Sequence, residues 1–423
     1  MASDFQSLGI SEELKNILVK HGYKEPTPIQ QQVIPVLLSG KDAIAQSQTG
    51  TGKTLAFALP ILQRIDNKKP YVQALIITPT RELALQITNE IEKLSKPLGI
   101  KALSLYGGKE LETQSKKLKG GAVHIIIGTP GRILDHLKRR TLNFGGLSML
   151  VLDEADQMIK LGFLEDIEII MSAAPSQRQT MLFSATMPKG IRSLVARYMR
   201  KPVEIRVQGK HVTLDEIKQI AIEVPEKQKI YALCKLIDQL NPFLAIIFCI
   251  SKERVKALNL ELGQKGYAVD ALHGDLSQNK REQILKRFRN AELQLLVATD
   301  IAARGLDIEG VTHIFNYDVP KNAETYIHRI GRTGRAGQEG MAITLVDEAE
   351  IERLRSIESG INKRIDRWTD ENQDNPGEGK LDFFVPKKSF EITSAIKSVK
   401  SRKSPGVKPS GRNKRVQKSN KKH

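Results

Sequence analysis

Short apolar runs of four or five residues recur along the chain. Each is followed by a stretch whose apolar positions fall three and four apart, and the alternation occurs twice over. Runs without polar interruption mark strands buried on both faces, and strands alternating with helical stripes mark parallel α/β sheets. In the first half the predicted strands are Ala43-Ile44-Ala45, Ala74-Leu75-Ile76-Ile77, Val123-His124-Ile125-Ile126-Ile127, Met149-Leu150-Val151-Leu152 and Thr180-Met181-Leu182-Phe183. The second half repeats the scheme with Leu244 to Phe248, Leu295 to Ala298, His313 to Asn316 and Ala342 to Val346. Ala84, Ile87, Ile91 and Leu94 form one of the helical stripes between strands and are assigned to core. Around residues 205 to 216 the chain turns polar and charged. A linker is expected at 209–216, between a first domain over 1–208 and a second over 217–363. Beyond residue 364 the periodicity dissolves, and a disordered tail is expected to residue 423.

Composition sharpens this in three ways. At 423 residues and 40% hydrophobic content the chain can build two ordinary cores plus an appendage. The formal charge of +18 points to an anionic partner, and it is concentrated in the tail. From Lys387 to His423 thirteen Lys or Arg stand against the single acid Glu391, a net +12. This is the composition of a polyanion-binding arm, the alternative being a solvated appendage. Cys234 and Cys249 are too few for a disulfide framework or zinc site, as expected of a reduced, cytoplasmic protein. The first residues lack the basic and apolar regions of an export signal, and no apolar stretch reaches eighteen residues, so no membrane association is expected.

Two segments carry phosphate chemistry. Gln46-Ser47-Gln48-Thr49-Gly50-Thr51-Gly52-Lys53-Thr54 follows a strand and precedes a helix, the setting in which glycines turn backbone N–H groups onto phosphates. Lys53 would reach the β and γ phosphates, and the hydroxyl of Thr54 would ligate Mg²⁺. Ser47 stands where the generic pattern has glycine. The second segment, Asp153-Glu154-Ala155-Asp156, closes a buried strand. Asp153 is placed to hold Mg²⁺ through water, and Glu154 to orient or deprotonate the attacking water. Late in the second half, His328-Arg329-Ile330-Gly331-Arg332-Thr333-Gly334-Arg335 has no phosphate loop beside it. Arg332 and Arg335 read as fingers presented to a nucleotide held by the first domain, sharing one side of a helical turn. Surface ion pairs are the alternative for both.

With these segments in place the chain resembles the DEAD-box RNA helicases of superfamily 2, of bacterial type, over roughly residues 5 to 360. The resemblance implies two tandem RecA-like parallel-sheet domains, RNA-stimulated ATP hydrolysis, and the cofactors ATP and Mg²⁺. It extends to Gly22-Tyr23-Lys24-Glu25-Pro26-Thr27-Pro28-Ile29-Gln30, where Gln30 would bond the adenine edge, Tyr23 would stack on the ring and Thr27 belongs to the same ATP-reading segment. Ser184-Ala185-Thr186 is similar to the family's segment coupling hydrolysis to unwinding, with Asp156 as partner; by itself it reads as a helix cap. Pro79 and Arg81, Gly108, and Thr129, Gly131 and Arg132 match RNA-backbone motifs of the first domain. Gly274, Asp275 and Thr299 match those of the second, with Gly305 and Asp307 facing the nucleotide. Read without the family, these short segments are strand-end turns in which glycine allows close approach and arginine binds phosphate.

The implied mechanism is a clamp. ATP and RNA bind across the cleft, closure brings Arg332 and Arg335 onto the γ-phosphate, and the bound strand is forced into a shape a duplex cannot adopt. Alternatives are an ATP-gated RNA clamp or assembly platform with little unwinding, a passive chaperone driven by the tail, and a DNA helicase. Intact Lys53, Glu154 and Arg332 disfavour the passive binder. Ribosomal and RNA-decay assemblies are both compatible partners. Truncation after Phe384 is expected to preserve turnover per bound complex and to weaken RNA binding. If four tail cations contact phosphates, the plot of log affinity against log salt for single-stranded RNA should lose about 3 units of slope. Equal slopes with and without the tail would make it a solvated appendage.

Overall fold

The computed structural model describes residues 4–47, 51–108, 110–207, 217–303, 308, 310–334 and 340–368. Gln48, Thr49, Gly50, Gly305, Asp307 and Arg335, the linker 209–216 and the chain from 369 onward lie outside the described residues.

Two domains are present, each built on a seven-stranded parallel sheet flanked by helices. The first sheet comprises β1 Ala43–Gln46, β2 Ala74–Ile77, β3 Ala102–Leu105, β4 Ile125–Gly128, β5 Met149–Leu152, β6 Gln179–Ser184 and β7 Val203–Arg206. Its spatial order is β3-β4-β2-β5-β6-β1-β7. The second comprises β8 Ile217–Glu223, β9 Ala245–Cys249, β10 Val269–Leu272, β11 Leu295–Thr299, β12 His313–Asn316, β13 Gly340–Val346 and β14 Asp366–Trp368, in the order β10-β11-β9-β12-β13-β8-β14. Along β2 and β5 the side chains part by alternation. Ala74, Ile76, Met149 and Val151 join the core on one face, and Leu75, Ile77, Leu150 and Leu152 that on the other. Burial on both faces is why these strands read as unbroken apolar runs. Each large apolar side chain so buried contributes about 1.5–3 kcal/mol.

The order sets β5, β6 and β1 side by side, so the turns after Leu152, Ser184 and Gln46 open on one edge of the sheet. In open parallel sheets ligands bind at the carboxyl ends of strands, where the connections diverge.

Strands β3, β7, β10 and β14 lie at sheet edges and went unrecognised in the sequence, because an edge strand needs less apolar surface. In β7, Val203-Glu204-Ile205-Arg206 pairs in parallel with β1, so the polar stretch begins inside the first sheet. In β14, Asp366-Arg367-Trp368 pairs with β8. This corrects the expected boundary at 363: residues 364–368 belong to the second domain and not to the tail. Among the described residues no helix is long and apolar enough to cross a membrane.

His313 opens β12 and is buried, which pushes its imidazole down to about 4. It therefore folds neutral. As pH falls from about 6.5 toward 4 the unfolded chain takes up a proton that the fold refuses, so stability is intact above that window and lost within it. The buried His124 and His136 are shifted the same way. Unfolding free energies from urea titrations are expected to fall through this range by up to about 1.4 kcal/mol per pH unit from His313, and His313→Gln should flatten the profile. An unchanged slope would contradict the assignment.

Candidate functional site

The phosphate loop closes on Gly52, the N-cap of helix Lys53–Arg64, at a φ of 91°. A Cβ there would lie 2.6 Å from Gln30 Nε2 and 2.9 Å from Thr27 Oγ1, so both conformation and space require glycine. Thr27 Oγ1 donates to the Thr51 carbonyl at 2.8 Å, and Gln30 Nε2 to the Gly52 carbonyl at 3.0 Å. The amide of Gln30 is fixed at its other end, where Oε1 accepts from Thr27 N at 2.9 Å. Residues expected to read the base thus also brace the loop. The Tyr23 hydroxyl donates to Glu90 on helix Arg81–Ser95. Buried Lys53 donates through Nζ to the Ser47 carbonyl at 3.2 Å, and Thr54 is half-buried in the first turn.

At the end of β5, Asp153 is buried and its Oδ1 accepts from Glu154 N at 3.0 Å. Glu154 has a φ of 50°, a left-handed conformation unusual for a side chain other than glycine. Such strain is held only where the surroundings fix it, and it clusters at active sites. Burial pushes the Asp153 carboxyl upward, partly offset by Lys53. Burial, then the neighbouring Asp153, push Glu154 upward, against Lys53 and Arg332. A buried acceptor-only carboxylate beside a single lysine suits a divalent cation shared with phosphates. Among the described residues no group of three or more His, Cys, Asp or Glu converges to hold a metal alone.

Asp156 joins this strand end to the next. Its Oδ2 accepts from Thr186 N at 3.1 Å and from Thr186 Oγ1 at 2.9 Å, while Asp156 N donates to Ser184 Oγ at 3.3 Å. Ser184 Oγ donates onward to the Thr186 carbonyl at 2.7 Å. These bonds tie the Asp153–Asp156 turn to the segment after β6.

The second domain faces these groups. His328 and Arg332 line one small cavity with Lys53, Glu154, Asp156, Gln157 and Ala185. Helix Ala323–Ile330 ends at its C-cap Gly331, so Arg332 projects from the turn beyond it. The expected helical placement of Arg332 is thereby corrected, the last turn tightening to bonds from Arg332 N to the Arg329 carbonyl and from Thr333 N to the Ile330 carbonyl. Its neighbour Arg329 is a brace. It is buried, pairs with Asp300 through Nε at 2.5 Å and Nη2 at 2.9 Å, and donates through Nη1 to Asn316 Oδ1 at 3.1 Å.

On the adjacent edge Arg81 sits at the start of its helix with its guanidinium over the Gly107-Gly108 turn. A Cβ on Gly108 would lie 2.6 Å from Arg81 Nη1. Pro79 is buried, so it shapes the turn before this helix and offers RNA little surface. Thr129 caps helix Pro130–Lys138, which carries Gly131 and Arg132 in its first turn. In the second domain Gly274 is exposed, and Thr299 Oγ1 accepts from Ala302 N at 3.3 Å. Asp275 lies between Lys256 at 2.8 Å and Lys252 at 3.1 Å, whose hydrogen bonds push its carboxyl down to about 2. The two lysines add cationic surface beside it.

Among the described residues, side-chain ties cross between the domains. Arg81 Nη1 donates to Gln278 Oε1 at 3.3 Å, Glu82 pairs with Arg281, and Lys160 pairs with Glu324. Gln278, Arg281, Lys252 and Lys256 were missed in the sequence. The three-residue spacing of Gln278 and Arg281 on helix Gln278–Arg289 was the available signal for the pair.

Residues 27–194 match the family model described as DEAD/DEAH box helicase, and residues 228–337 that described as Helicase conserved C-terminal domain. The chain is 47% identical over 389 residues to the ATP-dependent RNA helicase CshA of Listeria monocytogenes, covering 92% of this chain and 75% of that protein. To CshA of Bacillus subtilis it is 46% identical over 385 residues, covering 91% and 78%. Among solved structures it resembles S. cerevisiae Dbp5 bound to RNA and ADP BeF3, with TM-score 0.80, 32% identity, and coverage of 87% of this chain and 96% of that one. It also resembles Mss116p bound to ssRNA and AMP-PNP, with TM-score 0.78, 31% identity, and coverage of 88% and 80%.

Proposed function

The chain belongs to the DEAD-box family of ATP-dependent RNA helicases, and from that premise we propose that it hydrolyses ATP on binding RNA and uses domain closure to destabilise short duplexes. The observation that carries the reading is the convergence of both domains on one cavity, with Lys53 and Glu154 on one side and His328 and Arg332 on the other. A finger from one domain against a nucleotide held by the other makes turnover depend on closure.

In this proposal the phosphates lie against the loop ending at Gly52, within reach of Lys53. Glu154 takes a proton from the attacking water, and Arg332 neutralises charge on the transferring phosphoryl group. Asp153 and Thr54 would hold Mg²⁺, which when bound neutralises charge on the β and γ phosphates. Asp156, Ser184 and Thr186 transmit the state of the site along their shared hydrogen bonds. Arg81, Arg132, the Gly107-Gly108 turn, Gly274 and Thr299 grip the RNA backbone, so intrinsic sequence preference is low. Gln48, Thr49, Gly50, Gly305, Asp307 and Arg335 complete the nucleotide side on the strength of their motifs alone. We place this work in the cytoplasm, on RNA of ribosomal or decay assemblies.

Release of a labelled strand from a short RNA duplex by the full chain with ATP and Mg²⁺ tests the reading. Release over many turnovers with ATP, and no more than a single round per enzyme with a nonhydrolysable analogue, supports it. Long-lived RNA retention without strand release would favour the clamp alternative.

A further inference from the structure

Gln114 lies on helix Leu111–Lys119, away from the phosphate loop, yet it is 3% exposed and its amide bonds to the segments that carry the Gly107-Gly108 turn and Arg132. Its Nε2 donates to the Tyr106 carbonyl at 3.0 Å, at the root of the Gly107-Gly108 turn. Its Oε1 receives Arg132 Nη1 at 3.3 Å and faces His136 Nε2 at 3.1 Å. With the amide oriented by these bonds, His136 carries a proton on Nε2, while its Nδ1 lies 2.8 Å from the Thr141 hydroxyl, which donates to the His136 carbonyl at 3.1 Å. Burial first, and then the Arg132 charge, push the imidazole downward and keep it neutral.

We infer that Gln114 is a positioning residue for RNA binding, an inference that rests on the RNA-site reading above. One side chain ties Arg132 to the glycine turn, and that turn seats Arg81, which reaches Gln278 across the cleft. Arg132 and Arg81 are thus held in register by Gln114, and a phosphate backbone meets a preset pair of guanidiniums rather than two independent ones. Ordering them before RNA arrives removes part of the entropy cost of binding. A long side chain such as Arg otherwise loses its rotamer freedom on contact.

The test compares Gln114→Met, Gln114→Glu and Arg132→Ala in the full chain, by RNA-stimulated ATP hydrolysis. Gln114→Met keeps the volume and removes all three bonds. It is expected to raise the KM for RNA about tenfold, the scale of one lost hydrogen bond to a charged group, with kcat within about twofold. Gln114→Glu still accepts from Arg132 and from His136 but cannot donate to the Tyr106 carbonyl, so it should recover only part of that KM. A residue that only filled space would give the reverse order, since a buried carboxylate costs the fold more than a thioether. That reverse order, or an unchanged KM in Gln114→Met while Arg132→Ala raises it, overturns the inference. An unchanged KM in Arg132→Ala removes the RNA-site reading beneath it.

Discussion

Glu154→Gln is expected to bind ATP and RNA much as the wild type does and to lose hydrolysis by a factor of about 10²–10⁴, the share supplied by a positioned general base. The amide reproduces the shape and can hold the same left-handed backbone at 50°. What it cannot do is take a proton. Burial and the Asp153 charge raise the Glu154 carboxyl, which makes it a better base and also means that wild-type turnover should fall off at a pH above the ordinary carboxylate range. Because the raised carboxyl burdens the fold once ionised, the amide variant should melt at no lower temperature. Near-normal turnover with saturating RNA would remove Glu154 from its role.

Arg332→Ala should leave ATP binding nearly intact and cut RNA-stimulated turnover, toward the 10³–10⁵ associated with arginine fingers. The side chain lines the shared cavity and donates through Nε to the His328 carbonyl at 3.3 Å. As a half-buried residue past a helix end it should cost little stability, about 0.5 kcal/mol. Arg329→Ala provides the contrast three residues earlier. It strands Asp300 without its bidentate partner and should cost about 3–5 kcal/mol. Thermal unfolding measured beside turnover separates finger from brace. Equal stability losses in the two variants would return Arg332 to the ion-pair reading.

The chemistry legible in the sequence is the chemistry that is contiguous. The loop ending at Gly52 and the turn Asp153-Glu154-Ala155-Asp156 each sit at the end of a strand that announces itself as an apolar run, and β5, β6 and β1 being neighbours brings them together. Illegible were contacts made at a distance. Arg81 meets Gln278 across a separation of 197 residues, and Glu82 meets Arg281 across 199. No local pattern encodes such a pairing. Gln114 was hidden for another reason: a lone polar residue in a lysine-rich helix looks solvated until the turn it holds is seen. The edge strand β7 was lost because its polar residues alternate with Val203 and Ile205, covering one face only, and β14 because it is three residues long and mostly exposed.

That ATP and RNA bind across one cleft is tested most directly by linkage. The dissociation constant of a nonhydrolysable ATP analogue is measured with and without saturating single-stranded RNA, and that of the RNA with and without the analogue. Closure by both ligands predicts that each tightens the other by the same factor, in the range of about 5–150-fold. Two affinities that ignore each other would contradict it.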